Sequence, residues 1–97
     1  MMIEFLTDEW YDHHRRKLVW FSAIVDDKSI DCGISLQALA DRFGAHYDDP
    51  LPAFRHHRDR IQEVAAKLIT ERRFEDDGTI IVRDADFDLS DHDSAAN

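Results

Sequence analysis

The chain has 97 residues, 43% of them apolar, and a formal charge of −9. That length makes one domain with a small core, and the apolar share is too high for a wholly disordered chain. Twelve Lys and Arg against twenty-one Asp and Glu argue against a polyanion binder by bulk charge, and a single Cys excludes an internal disulfide framework.

Residues 2–5 predict a short strand, and Thr7-Asp8-Glu9 a turn. Trp10 and Tyr11 follow, then the polar run His13 to Lys17. Residues 17–25, rich in aromatic and β-branched types, predict the strongest strand. A second strand over 29–34 completes a hairpin. With Asp27-Lys28 as its loop, Val25 pairs with Ile30, Ala23 with Cys32 and Phe21 with Ile34, all on one face. The other face carries Leu18, Trp20, Ser22 and Ile24 against Asp31 and Gly33. A two-layer domain covers one sheet face with helices. The second face therefore needs the Trp10-Tyr11 segment, a second copy of the chain, or a partner.

Ser35 is placed to cap a helix with apolar Leu36, Leu39, Ala40 and Phe43, which Gly44 ends. Asp49 and Pro50 predict the start of a second helix that runs to Arg73. Its stripe is Leu51, Phe54, Ile61, Val64, Ala65, Leu68 and Ile69. Residues 75–78 form a turn. Thr79 to Arg83 predicts a strand whose consecutive Ile80, Ile81 and Val82 imply burial on both faces. The expectation is a single α+β domain over residues 1–87. It is a small two-layer domain, an antiparallel sheet in β-β-β-α-α-β order packed against two helices. Residues 88–97 are expected to be an acidic, disordered tail.

Several residues stand in a telling order: Trp10; Phe21-x-Ala23-x-Val25-Asp26; Cys32-x-Ile34-Ser35-x3-Leu39; Phe43-Gly44; Asp49-x-Leu51-x2-Phe54-x3-Arg58-x2-Ile61; Ala65; Arg73-Phe74; Asp77-Gly78. The set resembles a family of small bacterial proteins, domain of unknown function 1488, over roughly residues 3–87. The resemblance implies a compact α+β fold of strands, two helices and a closing strand. It names no chemistry, although some members carry a transcriptional-regulator label. Asp27-Lys28 departs from the Asp-Gly or Asn-Gly that such a hairpin favours.

Arg58 draws the first functional reading. On a helix it lies ~40° from Phe54, and His57 flanks the stripe on the other side. A half-buried Arg needs a carboxylate or carbonyl partner. It either packs its stem on the core with its head on water or an internal acid, or it recognises an anion. The histidines at 13, 14, 46, 56 and 57 lack metal-ligand spacing, so no metal and no cofactor are expected. Asp84-x-Asp86-x-Asp88 opens like a calcium loop, but Leu89 stands where Gly belongs and Ala95 where Glu belongs. Phe87 and Leu89 are read as tucking against the domain rather than as a docking motif. Cys32 falls on the core face, and neither it nor the serines show a nucleophile context. No catalytic residue is assigned, and an enzyme is not expected.

The functional expectation is a non-enzymatic interaction or regulatory module. Its candidate contact residues are Trp20, Ile24, His57 and Arg58, and its partner is a protein or a second copy in a homodimer. The alternative is a nucleic-acid-binding regulator using helix 50–73, which holds six basic residues against three acids, spread round its surface. The longest apolar stretch, Leu18 to Val25, is too short for a bilayer, and Glu4 stands where a secretory signal is basic. A cytoplasmic protein without membrane association is expected. The charge is also uneven. Residues 75–97 hold eight acids and one base, −7, which leaves −2 for the first 74 residues. The bulk-charge argument against polyanions therefore applies to the tail more than to the body.

Overall fold

The structure is a computed structural model and describes residues 2–12, 14 and 16–87. The α+β class is as expected. Five strands form one open sheet: β1 (Ile3–Phe5), β2 (Trp10–Asp12), β3 (Leu18–Val25), β4 (Lys28–Ser35) and β5 (Ile80–Val82). Three helices, α1 (Leu36–Phe43), α2 (Leu51–His56) and α3 (Arg58–Thr70), pack their buried side chains on its inner face.

The β3–β4 hairpin differs from expectation by two residues. Val25 pairs with Lys28, Ala23 with Ile30, Phe21 with Cys32 and Val19 with Ile34. The loop is Asp26-Asp27, with φ of 49° and 71°. Two positive φ values make a primed turn that follows the strand twist. Asp enters the left-handed region more readily than Lys, which moves the loop back one position. A two-residue shift keeps every side chain on its face. Val19, Phe21, Ala23, Cys32 and Ile34 are fully or almost fully buried, as the apolar row requires.

β1 and β2 lie end to end along one edge of β3. Ile3 pairs with Val25 and Phe5 with Ala23; Trp10 then pairs with Trp20 and Asp12 with Leu18. Four edge residues, 6–9, therefore stand against only Phe21 and Ser22. The excess is even, so the faces are preserved, but the ladder is interrupted. Leu6 N–H donates to the Ser22 carbonyl at 3.0 Å. The Asp8 carboxylate accepts from Ser22 N–H at 3.0 Å and from its hydroxyl at 2.6 Å. The loop thus satisfies the backbone groups that pairing would have used. The strand at Trp10–Asp12 is an element beyond the three expected before the helices.

Ser35 caps α1, its hydroxyl accepting from Ala38 N–H at 3.1 Å, and Gly44 ends it at φ 67°. The expected second helix is two. His57, at φ −111° and ψ 21°, separates α2 from α3. Asp49 does not cap α2; Pro50 holds that position, and Asp49 bridges back to His46. α3 ends in a Schellman motif. Arg72 N–H donates to Ile69 and Arg73 N–H to Leu68, with Arg72 at φ 58° where glycine is usual.

β5 pairs with β4 in parallel, so the sheet is mixed rather than antiparallel throughout. Residues 36–79 make the long crossover that a parallel pair needs. Ile80, Ile81 and Val82 are all buried, as their run implied. Residues 84–87 then form a helical turn. Arg83 N–H donates to the Asp86 carboxylate at 2.8 Å, and Asp86 N–H to the Arg83 carbonyl at 3.0 Å. This reciprocal pair opens the turn. It seats Phe87 in the core, edge-on to Phe43 at 5.3 Å. Residue 88 onward, including Leu89 and the expected disordered tail, lies outside the described residues.

Candidate functional site

The four candidate residues fall on opposite sides of the sheet. His57 and Arg58 belong to the helical layer; Trp20 and Ile24 belong to the outer sheet face.

On the helical side, the interrupted edge strand delivers Glu9 to the helices. Its side chain is only 7% exposed. Arg55 Nε donates to Glu9 Oε2 at 2.9 Å, and Arg58 Nη2 lies 2.7 Å from Oε1. The second contact is a close ion pair off hydrogen-bond alignment, and Arg58 Nε has no acceptor among the described residues. Burial pushes the Glu9 carboxyl up. The Arg55 bond, its own backbone N–H and Arg58 together outweigh burial and hold it below the ordinary value. The Arg58 guanidinium also lies 5.9 Å from the Phe54 ring centre. His57 stacks on Phe43 at 4.4 Å and meets His56 edge-on at 4.8 Å. This constellation ties the β1–β2 loop to α2 and α3. The partner that Arg58 requires is Glu9, which the sequence places in a turn.

Three further arginines of this layer also face acids. Arg60 lies 3.3 Å from Glu63, and Arg73 lies 3.0 Å from Glu71. Arg42 of α1 pairs with Asp84. The Asp86 carboxylate accepts from Arg83 N–H, and Asp88, the third acid of that run, lies outside the described residues. Among the described residues, no three His, Cys, Asp or Glu side chains gather as a metal requires. Burial pushes the Cys32 thiol up to about 12, with Asp31 and Asp8 adding to it. A thiol so held is no nucleophile near neutral pH.

The outer face reads differently. Register places Trp10, Trp20, Gly33 and Ile81 in one row across four strands. A Cβ on Gly33 would stand 3.2 Å from Trp20 Cε3 and 3.3 Å from Ile81 Cδ1, so the indole lies directly on the glycine backbone. Arg16 stacks on Trp20 from the β2–β3 turn, its guanidinium carbon 5.4 Å from the ring centre, and reaches Asp77 at 3.7 Å. Leu18 and Ile81 are buried without joining the main core. Ile24 stands between Glu4 and Ser29, half-buried. Trp10 keeps 54% of its surface exposed. Trp10, Trp20, Phe21, Ser22 and Asp31 line an open pit of about 150 Å³. Trp10 was one of the expected covers for this face. It joins the face instead of closing it, and Tyr11 turns to the core.

The family profile described as "Protein of unknown function (DUF1488)" matches residues 3–82. The chain belongs to the DUF1488 family. It is 37% identical over 74 residues to "Uncharacterized protein YrdB" of Escherichia coli K12, covering 75% of this chain and 85% of that protein. The same figures hold for the YrdB protein of Shigella flexneri. Among solved structures, a DUF1488 protein of unknown function from Shewanella loihica PV-4 is similar at 28% identity and a TM-score of 0.75. The match covers 82% of this chain and 90% of that one. Among the described residues, no helix is long and apolar enough to cross a membrane.

Proposed function

We propose that this chain is a small non-enzymatic interaction module that binds a protein partner through its outer sheet face. One observation carries the reading. A tryptophan exposed by 54%, Trp10, sits beside half-buried Trp20 on the face opposite the helices, and half-buried Ile24 lies further along the same face of β3. Exposed aromatic groups on a rigid sheet supply much contact area at little entropic cost, and Trp is enriched in interface hot spots. His57 and Arg58 have no part in this surface. Arg58 holds the β1–β2 loop through Glu9, directly before Trp10, and His57 packs on Phe43.

The test is affinity capture with three immobilised chains: wild type, Trp10→Ala, and Gln62→Ala on α3. A species retained by wild type and Gln62→Ala but lost with Trp10→Ala supports the reading. Equal retention by all three overturns it. Sedimentation of the purified chain tells whether the retained species is a second copy. Pairing of Arg55, Arg58, Arg60 and Arg73 with carboxylates of the same chain weighs against a polyanion on the helices. No retardation of duplex or single strands at low salt is expected.

A further inference from the structure

We infer that the pit between Trp10 and Trp20 recognises a guanidinium or ammonium side chain on a basic segment of the protein partner. The inference rests on the outer face being the contact surface and names the chemistry that surface takes.

Three observations converge on one spot. The two indoles are direct cross-strand partners, so their rings flank the same opening. Aromatic faces carry negative potential and attract cations, Trp most strongly. Ser22 forms part of the wall, and two carboxylates attend it. Asp31 is its cross-strand partner and lines the pit, and Asp8 is hydrogen-bonded to its N–H and hydroxyl. Aromatic walls with acid beside them suit a cation and repel an anion.

Arg16 supplies the precedent. Its guanidinium already lies on the Trp20 ring, at 5.4 Å from the centre, yet it is not among the residues lining the pit. Its charge is directed to Asp77 at 3.7 Å. Trp20 thus shows the contact that an incoming side chain would make with the indole pair. The pit, at about 150 Å³, exceeds what a single water needs and is open to the exterior, as a side chain entering from a partner requires. The carboxylates at the opening, Asp31 and Asp8, favour a basic segment over an acidic one.

The chain contains two tryptophans, both at the pit, so intrinsic fluorescence reads the site directly. The full chain is titrated with the peptide acetyl-Gly-Arg-Gly-Arg-Gly-amide and with its neutral counterpart carrying citrulline for arginine. The expected result is a saturable change with the arginine peptide and at least tenfold weaker binding of the citrulline peptide. Asp31→Asn should weaken the arginine peptide at least fivefold, while Asp59→Asn, on the exposed side of α3, should leave it unchanged. Equal binding of both peptides, or equal loss in the two variants, overturns the inference. Tetramethylammonium binding as tightly as the arginine peptide overturns the peptide assignment in favour of a small ammonium ligand. A partner captured through Trp10 with no response to the arginine peptide overturns this inference and leaves the surface reading standing.

Discussion

Glu9 and Arg58 meet at 2.7 Å and join the edge of the sheet to the start of α3. Glu9 sits in the four-residue interruption between β1 and β2, directly before Trp10. The ion pair therefore fixes where the exposed tryptophan leaves the loop. A contact in the helical layer sets the geometry of a surface on the opposite face.

The first prediction concerns pH. The Glu9 carboxyl lies below its ordinary value in the folded chain. A carboxyl lowered on folding contributes stability above its unfolded pKa, about 4.3, and loses that contribution as pH falls through the folded value. Glu9→Gln should cost about 1–3 kcal/mol at pH 7, because it leaves two guanidinium groups facing a neutral amide. The gap between wild type and variant should shrink as pH falls from 5 toward 2. Urea unfolding at pH 7 and pH 2.5 measures it, and a gap unchanged between them would count against the assignment.

The two arginines on Glu9 are unequal. Arg55 keeps 54% of its side chain exposed and Arg58 keeps 27%. Exposed pairs contribute little, whereas removing one partner of a buried pair strands the other charge. Arg58 also packs against Phe54. Arg58→Ala should cost about 2–3 kcal/mol and Arg55→Ala about 1 kcal/mol or less. Matching urea midpoints for the two variants would refute the difference.

These pairs show what the sequence made legible. The apolar alternation along 17–25 and 29–34 identified both faces of the hairpin, and its even period is blind to a shift of two. The loop chemistry decides that shift, through the tolerance of Asp26 and Asp27 for positive φ. The stripe from Leu51 to Ile69 identified the buried side of the second helical segment, but nothing in it marks the break at His57. β2 is three residues long, too short for alternation to register, and it exists because β3 has an edge to offer. Glu9 gave no signal of its own, being one acid in a polar run. Its two partners come from distant helices. The need of half-buried Arg58 for a carboxylate was the one indication that such a residue existed.

Arg72 occupies a left-handed position at the end of α3. A side chain there costs about 1–2 kcal/mol relative to an unstrained residue, and glycine relieves this while adding unfolded-state entropy. Arg72→Gly should stabilise the chain by about 0.5–1 kcal/mol. Thermal unfolding by circular dichroism checks the sign. A lower midpoint would mean that the Arg72 side chain makes contacts worth more than the strain.

Gly33 lies beneath Trp20. Glycine in a strand is weaker than a branched residue by roughly 0.5–1 kcal/mol, so a larger residue gains that much from the backbone. Its side chain must also displace the indole and the Ile81 methyl, and overpacking costs about 1–3 kcal/mol. The second effect wins. Gly33→Val should lower the unfolding midpoint and shift tryptophan emission to the red as Trp20 is lifted into water. An unshifted emission spectrum would show that the ring does not rest on the glycine.

The most direct measurement of the central claim is amide hydrogen exchange of the chain alone and with its captured partner at saturation. New protection is expected across residues 10–12 and 18–25, with α1 and α3 unchanged. Protection confined to the helices, with the strands exchanging as in the free chain, would contradict it.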